Sequence, residues 1–273
     1  MTSVGVELLC FWLALMGYSL ATMVAMFRLV LRRSFGMRLF GIMAAAWTLH
    51  TTAIGARWVR IDHLPVLSTF EMLSANVWGL MGAVLVGYWF LPRLRPVISL
   101  LLPVVMLVTA WMLVVPKHDS TLPATYYTLW LYVHIAFIKL FLGCAFVALG
   151  IAGVILLRAR RIGVRLFQSL PETAALDGTA YRCMALALIF DTLGIMSGAI
   201  WAQDAWGHYW SWDPLEIWSL LTWLSIGLTL HVRATFRPAP EANALLVIMT
   251  FVIAFLTFFG VPFVSTALHK GAI

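Results

Sequence analysis

WAQDAWGHYWSWDPLEIWSLLTWL, from Trp201 to Leu224, gathers six tryptophans, a tyrosine, a histidine and three acids between long apolar runs. Indole is large, flat and amphipathic, so a cluster of it beside hydrocarbon suits either a water–lipid boundary or a flat apolar ligand. The proline and two of the acids have a local explanation. Pro214 fits the first turn of a helix, Asp213 just before it fits the cap, and Glu216 favours the positive end of the helix dipole. The indoles divide differently: Trp218 and Trp223 serve equally well as interfacial anchors or as packing, whereas Trp206, Trp210 and Trp212 fall within seven residues of one loop. An aromatic belt needs fewer. On a short amphipathic helix lying in the interface, those three would make a flat, electron-rich shelf suited to a planar macrocycle.

The rest of the chain supplies the hydrocarbon. Of 273 residues, 63% are hydrophobic and only 11% charged, and the mean hydropathy is +0.96, so lipid rather than water is the expected solvent. The net charge of +7 does not point to nucleic acid, because the basic residues fall in short clusters between apolar runs. Cys10, Cys144 and Cys183 stand singly in apolar segments, with no CxxC or CxxCH, and read as small buried hydrophobes. The first apolar run reaches Leu31 and meets Arg32 and Arg33 without a small-residue cleavage site, which predicts a retained helix.

Runs of about 20 apolar residues are long enough to cross a bilayer. They predict spans near 6–31, 39–58, 67–90, 97–115, 129–157, 182–201, 215–233 and 243–268. The fold class expected is all-α: a polytopic membrane bundle of about eight helices, one membrane domain over 1–273, with an external tryptophan segment at 201–218. Thirteen of the eighteen basic residues lie in the loops after the odd-numbered spans. Those loops are therefore expected in the cytoplasm, with both termini and the tryptophan loop outside. The stretch QSLPETAALDG reads as an ordinary polar connection.

Four histidines fall at telling depths. His134 lies near the outer end of the fifth span and His269 follows the outer end of the eighth, while His50 and His231 lie within or near the inner part of the second and seventh. A polar ring inside a membrane needs a partner, and a neighbouring helix's hydroxyl or carbonyl would serve. Two pairs at matched depths favour a different use, since paired imidazoles saturate a haem iron. Arg57, two turns beyond His50 on the same face, then reaches a propionate, or else simply snorkels outward. Lys139 and Asp191 should both lie near mid-bilayer and are expected to pair. His63 and His118 read as solvated, and His208 as open between roles.

The run WGHYWSWDPLEIW resembles the tryptophan-rich WWD signature of the haem-handling proteins of cytochrome c biogenesis. Its continuation LLTWLSIGLTLHVR resembles the CcsA (ResC) branch, of the pathway called system II, and the resemblance extends over most of the chain. LHTTAIGARW and LHVR resemble the segments carrying the family's two transmembrane histidines, which implies ligand roles for His50 and His231. LYVH and FFGVPFVSTALH match the external pair, implying His134 and His269. The sequence departs from the family pattern at Ser68 and Phe70, where Asn and Tyr are usual before the matching Glu71. It departs again at Lys270 and in the PLE of the tryptophan segment.

Membership implies a haem-handling subunit of a holocytochrome c synthase, or haem lyase. It would move haem to the external face and present it for thioether attachment to the CxxCH of an apocytochrome c. The cofactor-binding set is then His50, His231, His134, His269, Trp206, Trp210, Trp212, Asp213 and Arg57, with the four histidines as iron ligands and no catalytic residue. The resemblance implies haem, taken as haem b, one or two per chain. Implied partners are a separate CcsB (ResB)-like membrane protein, apocytochrome c, thioredoxin-like thiol reductants and lipid. The membrane would be a bacterial cytoplasmic (inner) membrane or a thylakoid. A b-type haem electron-transfer subunit would use the same two histidine pairs but has no need of the tryptophan loop. A CcmC-type delivery protein shares the loop, but His50, His231 and eight spans speak against it. A channel using Lys139 and Asp191 lacks other polar lining.

Overall fold

The computed structural model describes residues 3–160 and 162–264. Ten α-helices are described: α1 Ser3–Val30, α2 Met37–Ile61, α3 Thr69–Phe90, α4 Ile98–Val114, α5 Leu129–Ala159, α6 Ile162–Leu166, α7 Thr173–Trp206, α8 Pro214–Phe236, α9 Pro240–Phe259 and α10 Val261–Val264. Among the described residues there is no strand. Eight of the helices are long and apolar enough to cross a membrane, the fourth counted with the 3₁₀ turn Pro92–Val97 that leads into it. All eight expected spans are therefore present. The chain divides into two compact units, Met1–Thr121 with Leu157–Pro171, and Leu122–Leu156 with Glu172–Ile273.

In unit 1, α1 packs along α2 and α4, and α3 packs on α2 and α4. The α1–α2 contact is close because Gly17 faces Ala46: a Cβ on Gly17 would come within 2.6 Å of the Ala46 Cβ. Small residues at such crossings let backbones approach and gain dispersion contacts that lipid does not supply. Trp47 and Trp78 stack at 5.1 Å between α2 and α3, and each indole N–H finds an acceptor, the Trp78 carbonyl and the Thr51 hydroxyl.

In unit 2, α7 packs with α8 and α9, and α8 packs along α9. Two threonine pairs bridge α8 and α9, Thr222 to Thr257 and Thr229 to Thr250, each at 2.8 Å. The seven-residue spacing on both helices places the pairs two turns apart on one seam. At about 0.6 kcal/mol for an average interhelical bond, they fix register more than they add stability.

α7 differs from the expected sixth span in starting at Thr173 rather than near 182. The polar stretch there is helical because its acid is satisfied. Asp177 accepts from Arg233 Nε and Nη2 at 3.0 and 2.8 Å and from Asn243 Nδ2 at 3.2 Å, on α8 and α9. The helix also continues through Trp206 to Gly207, whose φ of 85° supplies the left-handed residue that ends it.

The Gly17 crossing generates a test. Gly17→Ala should lower stability in detergent by about 1–3 kcal/mol through overpacking, and adding Ala46→Gly should restore part of the loss. Thermal-unfolding midpoints of the three variants check it.

Candidate functional site

The quoted tryptophan segment forms no separate interfacial helix. Trp201 and Trp206 sit on the last turns of α7, and residues 207–213 form an irregular loop into α8. The loop is held by its acids. The Asp213 carboxylate accepts from the Glu216 backbone N–H at 2.9 Å, capping α8. Glu216 reaches back, accepting from Ser211 N at 2.7 Å and Ser211 Oγ at 3.1 Å. Between them Trp212 stands 66% exposed at a φ of 60°, a left-handed conformation that a bulky residue rarely adopts. Trp210 meets it edge to face at 5.8 Å. The Trp210 indole N–H is buried without a hydrogen-bond partner among the described residues.

Behind the loop lies a second aromatic group, also in unit 2. Trp201 meets Trp206 at 4.9 Å and Tyr126 at 5.1 Å, both edge to face, and the His134 ring lies parallel to Trp201 at 6.3 Å. His134 Nδ1 is 2.8 Å from the Gly194 carbonyl oxygen. A carbonyl only accepts, so Nδ1 carries a proton, and in the neutral ring Nε2 carries the lone pair, the atom a metal would take. Burial pushes the Tyr126 phenol above its ordinary range. His208 adjoins Trp206 at 6.5 Å. His269 lies outside the described residues.

Unit 1 places His50 and Arg57 differently from a ready haem site. His50 is fully buried, with Nδ1 3.2 Å from the Tyr18 hydroxyl and Nε2 3.0 Å from Ser74 Oγ. Neither nitrogen is open to iron in this arrangement; ligation would exchange one of those bonds. Arg57 does not snorkel outward. It donates to Glu7 at 3.0 Å, to Glu71 at 2.9 Å and to the His118 carbonyl at 2.6 Å, and it pairs with Asp119 at 3.2 Å. Arg60 joins Glu7 and Asp119 in the same network. Removing one member of a buried pair costs about 3–5 kcal/mol because the other charge is left uncompensated, so Arg57 is a keystone here. The network borders a cavity of about 410 Å³ that reaches Ser74.

His63, expected to be solvated, is buried, its ring nitrogens each 3.0 Å from the Leu64 and Ser120 carbonyls. In unit 2, His231 is exposed and contacts Phe236. Lys139 and Asp191 make no ion pair with each other among the described residues, although both lie in unit 2. Ile138 and His134 occupy the face of α5 that meets α7, and Lys139, about 100° around the helix from Ile138, is turned off that line. Asp191 Oδ2 is buried without a partner among the described residues. Among the described residues, no group of three His, Cys, Asp or Glu could hold a bare metal ion.

The sequence reading had not singled out Trp201, Tyr126, Gly194 or Gly198 as site residues. A signal existed for the glycines, whose i, i+4 spacing leaves bare backbone on one face of α7.

Residues 64–269 match the family described as Cytochrome C assembly protein. The cytochrome c biogenesis protein CcsA of Guillardia theta is 28% identical over 255 residues, 85% of this chain and 84% of that one. The same protein from Prochlorococcus marinus (strain MIT 9515) is 28% identical over 242 residues, 78% of this chain and 77% of that one. That from Daucus carota is 43% identical over 94 residues, 34% of this chain and 29% of that one. Among solved structures, the cytochrome c heme lyase CcmF superposes with a TM-score of 0.72 at 19% identity, over 95% of this chain and 47% of that chain. At that identity the likeness is one of fold, and the chain spans about half of the lyase.

The ion network makes a pH prediction. The hydrogen bond from Arg60 holds the Asp119 carboxyl below the usual carboxylate range, against a smaller opposing effect of burial. Its contribution is complete above the unfolded value of about 3.9 and is lost as pH falls through the lower folded value. The unfolding midpoint of the wild type should fall between about pH 5 and pH 2. Asp119→Asn should start lower and fall less over that range, and the carboxylate's half-exposure keeps the difference modest.

Proposed function

Because this chain belongs to the Cytochrome C assembly protein family, we propose that it is the haem-handling subunit of a cytochrome c synthase, holding haem at unit 2 and presenting it to an apocytochrome c. The observation that carries this reading is the His134 ring. Its Nδ1 proton is committed to Gly194, so in the neutral ring Nε2 is the atom able to ligate, and the ring lies beside Trp201, Tyr126 and Trp206. The residues of unit 2 fit the group. They offer an imidazole of fixed tautomer, an exposed indole held by its loop and a buried indole N–H in need of an acceptor.

Haem is the substrate, and its vinyl groups supply the chemistry: each thioether forms when a cysteine S–H adds across a vinyl C=C, and no atom leaves. The chain's part is placement. His134, through Nε2, and on sequence grounds His269 would hold the haem iron. The exposed Trp212 indole is the face on which a flat ring rests, Trp210 stands edge to face against it, and Asp213 and Glu216 keep that face in place. No general base is needed from this chain, and the contribution is one of orientation and effective concentration.

The bound form is haem b, one or two per chain. His50, His231 and Arg57 belong to the wider set that the sequence suggests for haem within the membrane. No step is drawn through them, since His50 and Arg57 are committed to protein partners. The tryptophan loop faces away from the cytoplasm, on the side opposite the basic loops. A CcsB (ResB)-like membrane protein and thioredoxin-like reductants complete the machinery, in a bacterial cytoplasmic membrane or a thylakoid. A permanent haem wire would have no use for an exposed Trp212.

His134→Ala should lower hemin occupancy and cytochrome c maturation, with partial recovery on adding imidazole. Unimpaired maturation in His134→Ala/His269→Ala would overturn the reading. Trp212→Gly should separate stability from function. Release of about 1–3 kcal/mol of backbone strain offsets loss of the edge-to-face contact, worth about 0.5–1.5 kcal/mol, so the unfolding midpoint should hold while hemin is retained less well.

A further inference from the structure

α7 presents Gly194 and Gly198 one turn apart, and α5 lays Ile138 and His134 against them. The two glycines do different things. A Cβ at 194 would come within 2.7 Å of Ile138 Cδ1, so that glycine lets the helices close. A Cβ at 198 would come within 2.7 Å of His134 Nδ1 and 2.8 Å of its Cε1. The imidazole therefore occupies the space where any other residue at 198 would begin. The ring has little freedom to yield, being tied at Nδ1 to the Gly194 carbonyl at 2.8 Å and lying parallel to Trp201. The same carbonyl also accepts from Ser197 Oγ at 3.1 Å, so its oxygen is held from two sides.

We propose that Gly198 is a positioning residue for His134: its missing side chain admits the ring to the Gly194 carbonyl, which fixes the proton on Nδ1 and makes Nε2 the iron ligand. This rests on His134 being an axial ligand. It adds that the ligand's Nδ1 proton is set before haem arrives, by a backbone carbonyl of α7. Because the orienting group is a main-chain carbonyl, no side-chain replacement removes it, whereas filling the space at 198 crowds the ring off it. Groups that accept the other ring N–H of a metal-bound histidine typically contribute about 10–100-fold in affinity, so crowding at 198 should cost hemin binding even with every ligand present.

The test uses the full chain in detergent with ¹⁵N-labelled histidine, His134 being assigned by its absence in His134→Gln. The apo wild type should show His134 protonated at Nδ1; protonation at Nε2 overturns the proposal without any variant. Gly198→Ala should shift His134 away from that tautomer and weaken hemin binding, read by absorption titration, about 10–100-fold. Gly17→Ala, an equally crowded glycine in unit 1, should lower the unfolding midpoint and move neither readout, which separates positioning from general damage. Hemin affinity unchanged in His134→Ala would sink the ligand reading itself. Hemin affinity lost in His134→Ala but kept in Gly198→Ala, with the tautomer unchanged, would sink only the positioning role.

Discussion

A polar side chain surrounded by hydrocarbon must be given a partner from within the protein, because the bilayer core has no water to offer. That constraint organises both units. It explains why Asp177 is met by Arg233 and Asn243 and why the α8–α9 seam is pinned by hydroxyl pairs. It also explains why Arg57, near the end of a span, gathers Glu7, Glu71 and Asp119 around it. A lone guanidinium would have to reach water; a shared one can be buried and can tie α1, α2, α3 and the His118–Asp119 stretch together.

The two best-described histidines show the same rule with opposite results. His50 is satisfied at both nitrogens by side-chain hydroxyls, Tyr18 and Ser74, which can donate or accept and so leave the tautomer open. The ring is a core residue that could change partners. His134 is satisfied by a carbonyl, which cannot donate, so the identity of its proton-bearing nitrogen is decided. A hydroxyl partner makes a histidine adaptable, whereas a carbonyl partner fixes a proton on the nitrogen that faces it. That difference is why the functional reading rests on unit 2.

Much of the fold was legible in the sequence because hydrophobic length is a one-dimensional property: all eight spans can be counted before any contact is known. The start of α7 was not, because LDG reads as polar until Asp177 meets Arg233 and Asn243, and that meeting requires three helices to be assembled. His63 looked solvated for the same reason, its carbonyl partner at Ser120 being far off in sequence. The caps were legible, since their signals are local. Asp213 and Pro214 open α8 as read. Ser68, a departure from the family's usual Asn, still caps α3, in a reciprocal box with Glu71; Ser and Asn are interchangeable in that role. Of the site, the histidine and the tryptophans could be named from their depth and density. The glycine that makes room for the histidine shows only as a four-residue spacing from Gly194, because its function is an empty volume.

The tryptophan segment joins these levels. Taken alone, Asp213, Pro214 and Glu216 are the beginning of a helix, and Trp210 and Trp212 are a surface. Glu216, however, accepts from both the backbone and the hydroxyl of Ser211, so the carboxylate that belongs to the first turn of α8 also clamps the residue between the two indoles. The clamp and the Asp213 cap bracket Trp212 on both sides, which is how its φ of 60° is sustained. An exposed, strained tryptophan would relax if its neighbours were loose. Here the helix cap supplies the rigidity, and the indole is displayed without ordering cost when a flat ligand arrives. The acids and the indoles of the motif are then one device, in which the acids hold the indoles in place.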